Sequence, residues 1–277
     1  MRWVLLLLGL MLFSVHMRAW AQQCFEWQLE TGMILRFHVE AYDTVAIVGE
    51  PVLFRHRSDE WMVACDSTHG DTLFLRQWLE RSRAREWTER GDSSTRTTIP
   101  LVGVTTHLVL SRRGWRIQAT STAANSVSVV PGSMFGPVFF IPLDSTCTAC
   151  GRMQWLAEQR DTLVEYAVPP AHLDRLYLGS LDSCTAEGVP RVLSFAETSS
   201  GVHLLPLEGD AMQTAAWTLA HGVVELDTVT RLPRRLFYAT EQRLRITYRR
   251  TGTTRHGAQR TSLFAVVEVS SQPTDPR

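Results

Sequence analysis

From Met33 onward, apolar and polar residues alternate in short runs separated by turn-forming residues. Ile34 to Glu40 lies between Gly32 and Asp43, and Val45 to Val48 runs into Gly49-Glu50-Pro51. Val52 to Arg57 and Trp61 to Cys65 follow. Thr106 to Leu110 and Trp115 to Ala119 flank Arg112-Arg113-Gly114, the pattern of a hairpin. Runs of this length, rich in β-branched and aromatic residues, predict an antiparallel meander. The last third is the clearest. Leu236, Tyr238, Leu244, Ile246 and Tyr248 share one parity, and Glu241, Arg243, Arg245 and Arg249 share the other. That predicts a strand with one buried face and one wet face.

Other stretches are less regular. Over residues 72–90, Leu75, Trp78, Leu79 and Ser82 fit a helical face, whereas Leu73-Phe74-Leu75-Arg76 fits a strand. The strand is preferred because its surroundings are β. Arg90 to Thr98 has no period and is expected to be a loop, and the Ser/Thr/Ala-rich Ala119 to Ser133 a linker. Val138 to Ile141 is expected to be a strand. Arg152 to Tyr166 is expected to be the one helix, from the spacing of Met153, Leu156, Leu163 and Tyr166 ahead of Pro169-Pro170. The fold class is therefore all-β with minor helix, an antiparallel meander forming a sandwich or half-barrel. It divides into a leader at 1–21, an N-terminal β-meander lobe at 22–135, a middle segment at 136–209 and a C-terminal β-meander at 210–277.

The leader changes the picture most. Met1-Arg2, the apolar run Trp3 to Phe13 and Ala19-Trp20-Ala21 form a secretory signal, with cleavage expected after Ala21. The apolar run is shorter than the ~20 residues that a membrane-spanning helix needs. The expected address is the periplasm or cell envelope, with no transmembrane helix in the mature chain. Nucleic acid is not an expected partner there.

All 28 basic residues are arginine, so amine chemistry such as a Schiff base or a P-loop lysine is excluded. The nine histidines form no HxH or HxxxH pair, and neither a metal nor a cofactor is expected. Arg, Glu and His recur at strand positions that a membrane barrel would turn to lipid, which argues against one.

Export permits disulfides, and the bridge candidates are Cys65, Cys147, Cys150 and Cys184, with Cys24 making an odd fifth. Cys147-Thr148-Ala149-Cys150 reads either as a structural pair or as a redox pair. With Val138 to Ile141 before it and Gly188-Val189-Pro190 after it, residues 136–209 resemble a thioredoxin-like domain. That resemblance implies Cys147 as the attacking thiol, Cys150 as the resolving thiol and Pro190 as the cis-proline, hence a thiol-disulfide oxidoreductase as the alternative function. Thr146 departs from the aromatic residue usual before the first cysteine.

Two surface motifs remain. Arg90-Gly91-Asp92 is a cell-attachment triplet and gives a weaker, adhesive alternative. Arginines crowd the C-terminal third; Arg234, Arg235, Arg243, Arg245 and Arg249 are the candidate binding residues for an envelope protein, lipid headgroups or an anionic polymer.

Three features carry a wider likeness: Trp27-Gln28-Leu29-Glu30-Thr31-Gly32, Leu176-Tyr177-Leu178-Gly179 with the Gly188 turn, and Gly222 to Asp227 with its long amphipathic partner. In these the chain resembles uncharacterised exported β-rich envelope proteins of spirochaetes. The resemblance implies a β-sandwich or half-barrel in the envelope and no activity. The expected function is an exported, non-enzymatic β-protein that binds a partner, lipid or polymer.

Overall fold

The computed structural model describes residues 25–96, 102–121, 139–143, 154–163, 171–185, 189–207 and 210–271. Twelve strands follow one another: β1 (Met33–Ile47), β2 (Leu53–His69), β3 (Thr72–Thr88), β4 (Ser93–Arg96), β5 (Thr105–Ser111), β6 (Arg116–Ser121), β7 (Gln154–Leu163), β8 (Ala171–Cys184), β9 (Pro190–Leu207), β10 (Asp210–Leu226), β11 (Pro233–Tyr248) and β12 (Thr254–Ser271). All join one antiparallel sheet in the order β6-β5-β3-β2-β1-β12-β11-β10-β9-β8-β7, with short β4 paired to the outer part of β3. The first and last strands meet where β1 pairs with β12 from Met33↔Ser271 to Ile47↔Gly257. At the other edge β6 and β7 approach each other, so the sheet curls into a nearly closed barrel.

The period-2 alternation of each strand divides the residues between a lumen and an outer wall. On β1, Leu35, Phe37, Val39, Ala41 and Asp43 are buried, while Arg36, His38, Glu40 and Tyr42 are exposed. On β11 the parity expected from sequence holds: Leu236, Tyr238, Leu244 and Ile246 are buried, and Arg243 and Arg245 face water. Each large apolar side chain that enters the lumen contributes roughly 1.5–3 kcal/mol.

Residues 72–90 are strand, with a complication. Glu60 pairs with Arg81 and Trp61 with Leu79, which leaves Glu80 as an extra residue. This bulge reverses the inward parity, so Leu73, Leu75, Gln77 and Leu79 point in before it and Ser82 and Ala84 after it.

Three expectations are corrected. Within the loop expected at Arg90 to Thr98, Ser93–Arg96 is strand β4, paired with β3. The helix expected over Arg152 to Tyr166 is strand β7 across its described part, because Trp155 and Ala157 are buried together while Leu156 is exposed. The strand expected at Val138 to Ile141 is, in its described part, an irregular buried strap, Phe139 to Leu143. Its carbonyls are taken by indoles instead of by a ladder. Trp27 Nε1 donates to Ile141 O at 3.3 Å, Trp155 Nε1 to Pro142 O at 3.0 Å and Trp115 Nε1 to Leu143 O at 3.0 Å. Leu143 N donates to Arg113 O at 2.7 Å. Phe139 stacks on Phe37 and meets Trp61 edge-on, so the strap fills one end of the lumen.

Two glycines make this packing possible. Gly114 has a φ of +79°, and a side chain there would strike Ile141 O and the Trp27 indole. Gly179 leaves the space that the ring of Trp155 occupies.

Candidate binding groove

Above the apolar end, the lumen wall is polar. Arg57 Nε lies 3.0 Å from Asp43 and its Nη1 3.0 Å from Asp59. Ser82 Oγ donates to Asp59 at 2.6 Å, and Thr261 Oγ1 donates to Asp43 at 2.7 Å. Burial raises the Asp59 pKa, with Arg57 and Ser82 opposing the rise.

Further round the wall, Arg175 Nη1 lies 3.6 Å from Glu197, and both are fully enclosed. Tyr238 Oη donates to Glu197 at 3.3 Å, and Arg175 Nη1 donates to Tyr177 Oη at 3.2 Å. Burial raises the Glu197 pKa against the pull of Arg175 and pushes the Tyr177 phenol up to about 12. These groups bond one another and are closed to solvent. Their chemistry is structural: charge neutralised inside a low-dielectric wall.

The outer wall is different. A groove of about 990 Å³ crosses β7 to β11. Cross-strand register sets its floor as two parallel rows. The first reads Arg243–Trp217–Ser200–Asp174–Arg160. The second reads Glu241–Leu219–Thr198–Leu176–Glu158. Five strands at the usual spacing of about 4.8 Å give a span of roughly 19 Å. Charges stand at both ends, and between them lie apolar and hydroxyl-bearing side chains and the Asp174 carboxylate that pairs with Arg160.

Trp217 is 49% exposed and Leu219 63% exposed. With Leu176 they give the floor its apolar side chains. The guanidinium of Arg245 lies 5.9 Å from the Trp217 ring centroid, a cation–π contact.

The charges of the groove are unequally satisfied. Arg160 bonds Asp174 at 2.5 Å, and Glu241 lies 3.7 Å from Arg260. Among the described residues, Arg243 and Arg245 have no carboxylate partner within 4.0 Å.

The structure separates the five candidate arginines. Arg243 and Arg245 line or flank the groove. Arg235 lies 3.4 Å from Glu225 at the other end of β11. Arg234 is exposed beside Arg235, near Asp227, and Arg249 lies in the turn after β11. The sequence reading missed Trp217, Leu219, Thr198 and Ser200. An exposed tryptophan at outward parity was the available signal, but parity on β10 becomes visible only once its register with β11 is known.

The cysteines and the attachment triplet fall elsewhere. Cys65, a bridge candidate, is instead a free thiol, 2% exposed on the lumen side of β2. Burial pushes its pKa to about 11, with Asp66 adding to the rise. Cys184 ends β8 and is not a free thiol. Cys24, Cys147 and Cys150 lie outside the described residues. Pro190 opens β9 and is buried. Arg90-Gly91-Asp92 is exposed in the tight turn between β3 and β4, where Thr88 N donates to Asp92 O at 2.9 Å. Among the described residues no three metal-ligating side chains cluster.

No protein-family model and no curated protein matches the chain. Among solved structures it is similar to Pseudomonas aeruginosa OccK7 (OpdD) at 7% identity, over 86% of this chain and 99% of that chain, with a TM-score of 0.17. Similarity at that level transfers neither fold nor function. On the outer wall Arg36, Glu40, Arg83, Arg243 and Arg245 are interspersed with exposed apolar residues such as Leu178, Phe237, Phe264 and Val266.

Proposed function

We propose that this chain is an exported, non-enzymatic envelope protein that holds an extended anionic polymer against its outer wall. The observation that carries the reading is the pair Arg243 and Arg245, without carboxylate partners among the described residues, beside the exposed ring of Trp217 in a groove five strands wide. Guanidinium groups bind carboxylates and phosphates through paired N–H donors, and an extended ligand can meet several such groups in succession. The leader at 1–21 supports an envelope address. The pairing of Arg57 with Asp43 and Asp59 and of Arg175 with Glu197 supports binding on the outside, since these lumen charges already neutralise one another.

The test is retention of the mature chain on an immobilised polyanion across a salt gradient, alongside Arg243→Gln/Arg245→Gln. Binding that weakens with salt in the parent and is lost in the double variant supports the reading. Equal retention of both proteins removes it.

A further inference from the structure

We infer that the polymer in the groove is a glycan bearing carboxylates, with a sugar ring stacked on Trp217. This rests on the reading of the groove as a polyanion site and adds the ligand's chemical class.

The order of side chains across the floor matches a sugar ring. The second row runs charge, apolar, hydroxyl, apolar, charge: Glu241, Leu219, Thr198, Leu176, Glu158. The first places the Trp217 indole between Arg243 and Ser200. A pyranose ring has the matching character, with an apolar C–H face and a rim of hydroxyls. The flat ring of Trp217 offers a platform for that face, and Ser200 and Thr198 offer donors and acceptors to the rim.

Other polyanions match less well. A lipid surface offers no flat ring to the Trp217 indole and no hydroxyl rim to Thr198 and Ser200. Nucleic acid is not an expected partner of an exported chain. An acidic peptide would satisfy Arg243 and Arg245 but would leave the indole and the hydroxyl pair without a role. The two arginines then select acidic over neutral sugars through charge-assisted hydrogen bonds.

The experiment is calorimetric titration of the mature chain with four probes: oligogalacturonate, its carboxyl-reduced neutral counterpart, polyglutamate of equal charge, and phosphatidylglycerol vesicles. The expected result is a preference of about tenfold or more for oligogalacturonate over each of the others. Trp217→Ala is expected to lower that affinity about tenfold and Trp217→Phe to restore most of it, since a flat ring is what the sugar needs. Arg243→Gln is expected to erase the preference over the neutral oligomer.

If polyglutamate or vesicles bind as well as oligogalacturonate and Trp217→Ala is silent, the glycan inference falls while the polyanion reading stands. If the neutral oligomer binds equally, the requirement for carboxylates falls. If no probe binds, both the inference and the reading beneath it fall.

Discussion

Trp155 and Pro142 are joined by a 3.0 Å hydrogen bond from the indole N–H to the carbonyl oxygen, which ties β7 to the strap that fills the lumen. Trp115, just before β6, makes the matching bond to Leu143. The two edge strands are thus linked through one buried segment, where a fully closed barrel would use ladder bonds. Replacing Trp155 by Phe keeps most of the apolar contact and strands the Pro142 carbonyl. The expected cost is about 1–3 kcal/mol, read as a lower urea midpoint. Faster amide exchange is expected in β6 and β7 before the rest of the sheet.

The enclosed Arg175–Glu197 pair gives a second test. Glu197→Leu leaves a cation in the wall without its carboxylate, at an expected cost of about 3–5 kcal/mol. Arg175→Met together with Glu197→Leu removes both charges and is expected to recover most of that loss. Equilibrium unfolding of the single and double variants checks both outcomes.

Burial raises the pKa of Glu197 and of Asp59 above the ordinary carboxylate values. Between the ordinary and the raised value, the folded chain binds more protons than the unfolded one. The contribution of each group is therefore full below its ordinary pKa and is lost as pH rises through the raised one. A urea midpoint followed from about pH 4 to about pH 8 is expected to contain this falling component, and Glu197→Gln is expected to lose the share that belongs to Glu197.

Cys65 is expected to resist alkylation in the folded chain and to react once the chain is unfolded, because its thiol is buried and its pKa lies near 11. Mass spectrometry after labelling under each condition checks this. Rapid modification of the native protein at Cys65 would contradict the placement of that side chain in the lumen.

The legible parts of the fold are those in which a single strand shows its own alternation. The even-numbered apolar residues of β11 and the odd-numbered ones of β1 gave the lumen face directly. Over β3 the bulge at Glu80 places inward residues on both parities, which is why helix and strand competed there. On β7 the exposed Leu156 lent the segment a helical spacing, because the outer wall of this barrel accepts apolar residues among its charges.

Closure of β1 on β12 was beyond reach, since nothing in either strand specifies a partner more than two hundred residues away. The groove was half legible. Its arginines stood out by type, but Trp217, Ser200 and Asp174 join the row of Arg243 only through the registers of three strand pairs.

The central claim is that the working surface is the outer wall and not the lumen. Its most direct test is amide and side-chain NMR of the mature chain during titration with an acidic oligosaccharide. Shifts centred on Trp217, Leu219, Thr198, Ser200 and Arg243 are expected, with Asp43, Arg57 and Glu197 unchanged. Shifts confined to Asp43, Arg57, Asp59 and Glu197, with the Trp217 indole silent, would contradict it.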